Sequence, residues 1–84
     1  MDLNDIRARL LRLLMDIAPD IASGNIDPER DLRDQFDFDS MDALHFAAAV
    51  SEAFGIEIAE TDYPRLASLR SAGEFVLSRL APQR

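Results

Sequence analysis

Apolar residues in the first stretch of the chain recur at helical spacing. Leu3, Ile6, Leu10, Leu13, Leu14 and Ile17 form one stripe, and Arg7, Arg9, Arg12 and Asp16 fill the other faces. Asp2 or Asn4 is placed to cap the start. Pro19 disfavours helical geometry at Ala18, so the helix is expected to end near residue 17. Residues 18 to 39 then read as one long connection, with turn signals at Pro19, Gly24-Asn25 and Asp27-Pro28. A single helical turn over Asp27–Arg30, capped by Asp27, fits within it. Ile21, Ile26, Leu32 and Phe36 are spaced as pins that hold this loop to a core. Asp39 caps a second helix over residues 40–54. Its core stripe is Ala43, Phe46, Ala47, Val50 and Phe54, with Met41, Leu44 and Ala48 on an adjoining face. Gly55 stops it. Ile56-Glu57-Ile58 alternates like a strand but has no partner to pair with, so it reads as an extended connector. Glu60–Leu66 is expected to form a short helix disturbed by Pro64. Ser71-Ala72-Gly73-Glu74 matches a capping box for a last helix, with Ser68 as a competing start. That helix should carry Phe75, Val76 and Leu80 inward until Pro82. The expected architecture is all-α, a small four-helix bundle of three principal helices and one short one, with a long first loop. Residues 1–84 are read as a single domain.

Length sharpens this picture. A chain of 84 residues buries only about 60% of the surface its unfolded form exposes, which leaves little room for a catalytic cleft on top of a core. Cysteine is absent, so disulfides and thiol ligands from the chain itself are excluded. The first residues are acidic and contain no unbroken apolar run. Neither a secretory signal nor a membrane span is expected, and the reading is of a cytoplasmic protein. The net charge is −7, and it is unevenly placed. Asp37, Asp39, Asp42, Glu52, Glu57, Glu60 and Asp62 lie in one stretch without any Arg or Lys, while the nine acids and nine arginines elsewhere cancel. Such a field repels nucleic acid and steers basic partners toward it.

The stretch that carries chemistry is Phe36-Asp37-Phe38-Asp39-Ser40-Met41-Asp42. A serine lies between aspartates at the start of a helix, after a long loop. Here the sequence resembles the acyl carrier protein family, whose hallmark is Asp-Ser-Leu or Asp-Ser-Met opening the second helix. The resemblance runs over roughly residues 3 to 80. It takes in the helix order, the long first loop, Gly55-Ile56-Glu57-Ile58 and the short third helix. It implies that the Ser40 hydroxyl accepts 4′-phosphopantetheine from coenzyme A, through a phosphopantetheinyl transferase. The arm's terminal thiol would then carry an acyl cargo, so a chain without cysteine would still perform thiol chemistry. Ser40 needs no base within this chain, and no catalytic residue is assigned. The resemblance further implies that Asp39, Met41 and Asp42 belong to the surface read by the transferase and by acyl-loading and acyl-processing enzymes with basic docking patches. Leu44, Ala48 and Glu52 continue that face. Ile58 either lines the path of the arm or packs in the core. A monomer is expected.

The chain also departs from the pattern. Asp37 stands where many members have glycine, and the turn there is expected to survive because Asp tolerates left-handed backbone. His45 stands where carriers of fatty-acid synthesis often have an acid. It is the only histidine and reads as an exposed helical residue. Together with Asp62-Tyr63-Pro64, the motif resembles stand-alone bacterial carriers of specialised metabolism. Three readings remain open: an acyl carrier, an aminoacyl or peptidyl carrier on the same arm, and an unmodified interaction module with the same fold. The alanines of the second helix either leave room for a short cargo between the helices or let the helices pack closer. An EF-hand loop starting at Asp37 fails, because Met41, Asp42 and Ala48 occupy ligand and glycine positions, so no metal site is assigned.

Overall fold

A computed structural model describes residues 2–23 and 26–80. Helix α1 runs over Leu3–Ile17. Asp2 caps it, its carboxylate accepting the Asp5 N–H at 2.9 Å. The one-turn helices α2 (Asp20–Ser23) and α3 (Leu32–Gln35) follow. Helix α4 spans Ser40–Phe54, a 3₁₀ helix covers Glu60–Leu66, and α5 spans Leu69–Leu80. The segment between α4 and the 3₁₀ helix is irregular.

The core joins one stripe from each long helix. Ile6, Leu10 and Leu14 of α1 meet Phe46, Ala47, Val50 and Phe54 of α4 and Leu69, Ala72, Phe75 and Val76 of α5. Each fully buried large side chain contributes roughly 1.5–3 kcal/mol of transfer free energy. Gly73 lets α1 and α5 approach closely: a β-carbon there would stand 3.2 Å from a Leu3 methyl and 3.5 Å from the Arg7 stem.

The first connection is more regular than its turn signals suggest. Ile21 and Leu32 are buried, and each sits in a one-turn helix. Ile26 and Phe36 pack against the core from partly buried positions. The expected helical turn at Asp27–Arg30 is instead a hydrogen-bonded turn. The Asp27 carboxylate accepts the Glu29 N–H at 3.0 Å, and its carbonyl accepts the Arg30 N–H at 3.3 Å. The Gln35 amide closes the loop by donating to the Asp27 and Arg30 carbonyls and accepting the Asp27 N–H. Two backbone bonds then staple the loop to the far end of the chain: Leu32 N–H to the Ala67 carbonyl at 2.8 Å, and Arg70 N–H to the Pro28 carbonyl at 2.9 Å. The Gly24-Asn25 turn and Pro82 lie outside the described residues.

Two expectations for the last helix are corrected. It begins at Leu69, and Ser68 rather than Ser71 caps it, the Ser68 hydroxyl accepting the Ser71 N–H at 3.2 Å. Leu69 and Ala72 are buried, so packing draws the helix start upstream of the Ser71–Glu74 pattern. Leu80 closes α5 and is 37% exposed, because an apolar stripe is covered only where neighbouring elements extend alongside it.

Gly55 ends α4 at φ 65° and ψ 37°, the left-handed region. Its N–H and that of Ile56 both reach the Ser51 carbonyl. No atom would obstruct a β-carbon there. Gly55→Ala is therefore expected to cost only the backbone penalty, about 1–2 kcal/mol, read as a lower urea midpoint at unchanged slope.

Candidate functional site

Ser40 is the first residue of α4, and its position is set by a reciprocal cap. The Asp39 carboxylate accepts the Asp42 N–H at 2.9 Å, and the Asp42 carboxylate accepts the Asp39 N–H at 3.3 Å. The preceding turn is tight: the Phe38 N–H donates to the Phe36 carbonyl at 2.9 Å, a three-residue γ-turn around Asp37. No non-glycine residue among those described has positive φ, so the left-handed Asp37 expected from the sequence is not present. The γ-turn needs no such geometry. Between two exposed aspartates, Phe38 turns inward to 6% exposure and meets Phe46 edge to face, with ring centroids 6.3 Å apart. That contact anchors the loop from below and leaves Ser40 exposed above it.

A cavity of about 350 Å³ opens beside Ser40. Leu32, Phe38, Ala43, Phe46, Leu66 and Ala67 form its apolar wall, with Tyr63 and Pro64 of the 3₁₀ helix on one side and Asp31 and Arg33 on the other. The room lies at the start of α4, where Ala43 keeps the wall low. It does not lie along the run of alanines, since Ala47 is packed into the core and Ala48 faces out. The 3₁₀ helix is held in place by Asp62. Its carboxylate accepts the Ala59 N–H at 3.1 Å and pairs with Arg79 of α5 at 3.3 Å. Arg79 also lies over the Phe75 ring at 4.6 Å.

The other sequence-picked residues divide clearly. Met41 and Leu44 are 57% and 44% exposed, and Ala48 and Glu52 are exposed beyond them. At spacings of three and four residues these side chains share one outward face of α4. His45 is exposed next to them. Asp42 is half-buried in the cap. Ile58 is half-buried against the core and does not line the cavity. The sequence reading missed the roles of Phe38, Tyr63, Arg33 and Asp31. Only Phe38 left a local signal, as an aromatic set among acids.

The arrangement offers an exposed hydroxyl at a helix start, an apolar cavity beside it and an apolar–acidic face running from it. A phosphodiester fits such a hydroxyl, because unfilled helix-start amides and the helix dipole favour an anion there. The family model for the phosphopantetheine attachment site matches residues 6–76, and the chain belongs to that family. No curated protein matches it. The domain is therefore a site of covalent 4′-phosphopantetheine attachment, with the carrier role such domains have. Carrier domains of this kind work with a phosphopantetheinyl transferase and with enzymes that process the bound group, and they are typically non-catalytic. No helix among the described residues is long and apolar enough to cross a membrane.

The aspartate before Ser40 serves the cap whatever else it does. Asp39→Ala is expected to cost about 1 kcal/mol in a thermal melt, while Asp39→Asn keeps the cap and costs only a few tenths. A loss of transferase recognition in Asp39→Asn would then report the charge alone.

Proposed function

We propose that Ser40 is the attachment residue, and that residues 1–84 act as one monomeric, non-catalytic carrier of acyl intermediates in the cytoplasm. The observation that carries this reading is the exposed Ser40 opening α4 at the lip of an apolar cavity, in a chain of the phosphopantetheine attachment family. When attached, the arm supplies a terminal thiol that holds cargo as a thioester. The chain's own residues do the rest. The Asp39–Asp42 cap fixes the backbone turn that carries the hydroxyl, and the Phe38–Phe46 contact holds the loop that precedes it. Met41, Leu44, Ala48 and Glu52 give partner enzymes an apolar strip edged by acid, and Asp39 and Asp42 mark its upper end. Basic patches on a transferase or processing enzyme complement this face, so association should be fast and should weaken with salt. The apolar wall beside Ser40 favours an acyl cargo over a charged aminoacyl one.

Intact-mass spectrometry tests this directly. The protein is incubated with coenzyme A, magnesium and a broad-specificity phosphopantetheinyl transferase, with Ser40→Ala as control. One phosphopantetheinyl group on the wild type and none on the variant is the expected result. A group still added to Ser40→Ala, or none added to the wild type, overturns the assignment.

A further inference from the structure

The helix start that receives the phosphodiester has free amides and a dipole but no cationic side chain of its own. Of the first-turn amides, that of Asp42 is already taken by Asp39, which leaves those of Ser40 and Met41 to face an anion. Asp37, Asp39 and Asp42 surround Ser40 in sequence, and no Arg or Lys occurs from residue 37 to residue 62. A new phosphodiester there would meet more negative charge than positive.

One cation shares the cavity with Ser40. Arg33 of α3 lines the same wall, is exposed, and has no ion pair or hydrogen bond among the described residues. The other arginines around the first loop are engaged. Arg30 donates to the Asp34 carbonyl, and Arg70 pairs with Glu29 and Glu74. Asp31 also lines the cavity, but no ion pair joins it to Arg33. A guanidinium is planar and matches two phosphate oxygens at once, which suits it to hold a diester in one orientation. From the Ser40 reading, on which this step rests, we propose that Arg33 is a positioning residue for the arm. It pairs with the phosphodiester on Ser40 and lays the pantetheine over the apolar cavity instead of out along the face of α4. The bound arm then rests against Ala43, Tyr63 and Ala67, and a partner enzyme must draw it off Arg33 to use it.

The test compares wild type, Arg33→Gln and Arg33→Lys, each converted by the transferase and verified by intact mass. NMR then reads the apo-to-holo shifts of the Ala43, Tyr63 and Ala67 amides and the phosphorus resonance. An exposed ion pair of ordinary strength changes a population by roughly 1.4- to 5-fold. Arg33→Gln should therefore lose a corresponding share of these shifts, and Arg33→Lys should keep part of them. Raising the salt should move the wild type toward the variant. In the wild type alone, the Arg33 Nε–H resonance should shift on attachment more than those of Arg30 and Arg65, a reading that does not depend on loading any variant. Equal apo-to-holo shifts in wild type and Arg33→Gln, or an unmoved Arg33 Nε–H signal, would sink the proposal while leaving attachment intact. No mass gain on the wild type would instead remove the attachment reading, and the proposal with it.

Discussion

Phe46→Ala will destabilise the domain by about 3–5 kcal/mol, the usual cost of removing a core aromatic. Phe46 is 1% exposed and sits where three features meet. It belongs to the α4 stripe in the core, it receives the edge contact from Phe38, and it forms part of the wall beside Ser40. Truncation therefore removes ring burial and frees the loop that positions the site. A domain of this size has a total stability of only about 5–15 kcal/mol. The melting temperature should fall by on the order of 20 °C. Loading of Ser40 should decline as the folded fraction declines, and it should recover at lower temperature. A variant that kept its melting temperature would show that the core face of α4 is misassigned.

Ser40→Ala should have the opposite profile: complete loss of loading with a stability change within about 0.5 kcal/mol. The side chain is exposed and forms no hydrogen bond among the described residues. The cap around it is built by its neighbours Asp39 and Asp42. Alanine is also a good residue for a first helical turn. Thermal melts and intact-mass measurements on the same sample check both halves. A large loss of stability would assign Ser40 a structural role that the cap geometry does not give it.

Much of this was legible from local pattern. The stripes of α1 and α4 are long and periodic, and both helices carry strong stop or start signals in Asp2, Asp39 and Gly55. The hydroxyl at Ser40 was legible because its sequence context is itself local. The start of α5 was not, because two capping serines three residues apart compete. Burial of Leu69 and Ala72, a tertiary matter, decides between them. The one-turn helices α2 and α3 were hidden for a similar reason. Each forms around a buried residue, Ile21 or Leu32, and α3 is further fixed by the distant bond from Leu32 N–H to the Ala67 carbonyl. The cavity was least legible. Arg33 and Tyr63 are thirty positions apart, and nothing in either neighbourhood announces the other.

The close approach of α1 and α5 at Gly73 also governs when the protein becomes usable during its synthesis. Until the residues of α5 have left the ribosome, the buried stripe of α1 lacks one of its two main partners, and the carbonyl of Ala67 and the amide of Arg70 are not yet in place to hold the first loop. At elongation rates of about 5–20 residues per second, the interval between emergence of Ser40 and full emergence of α5 is about 2–8 seconds. The serine is thus translated well before the platform that presents it exists. If Ser40 is the attachment residue, as proposed, a truncated product ending before α5 is expected to be a poor transferase substrate even with its serine intact.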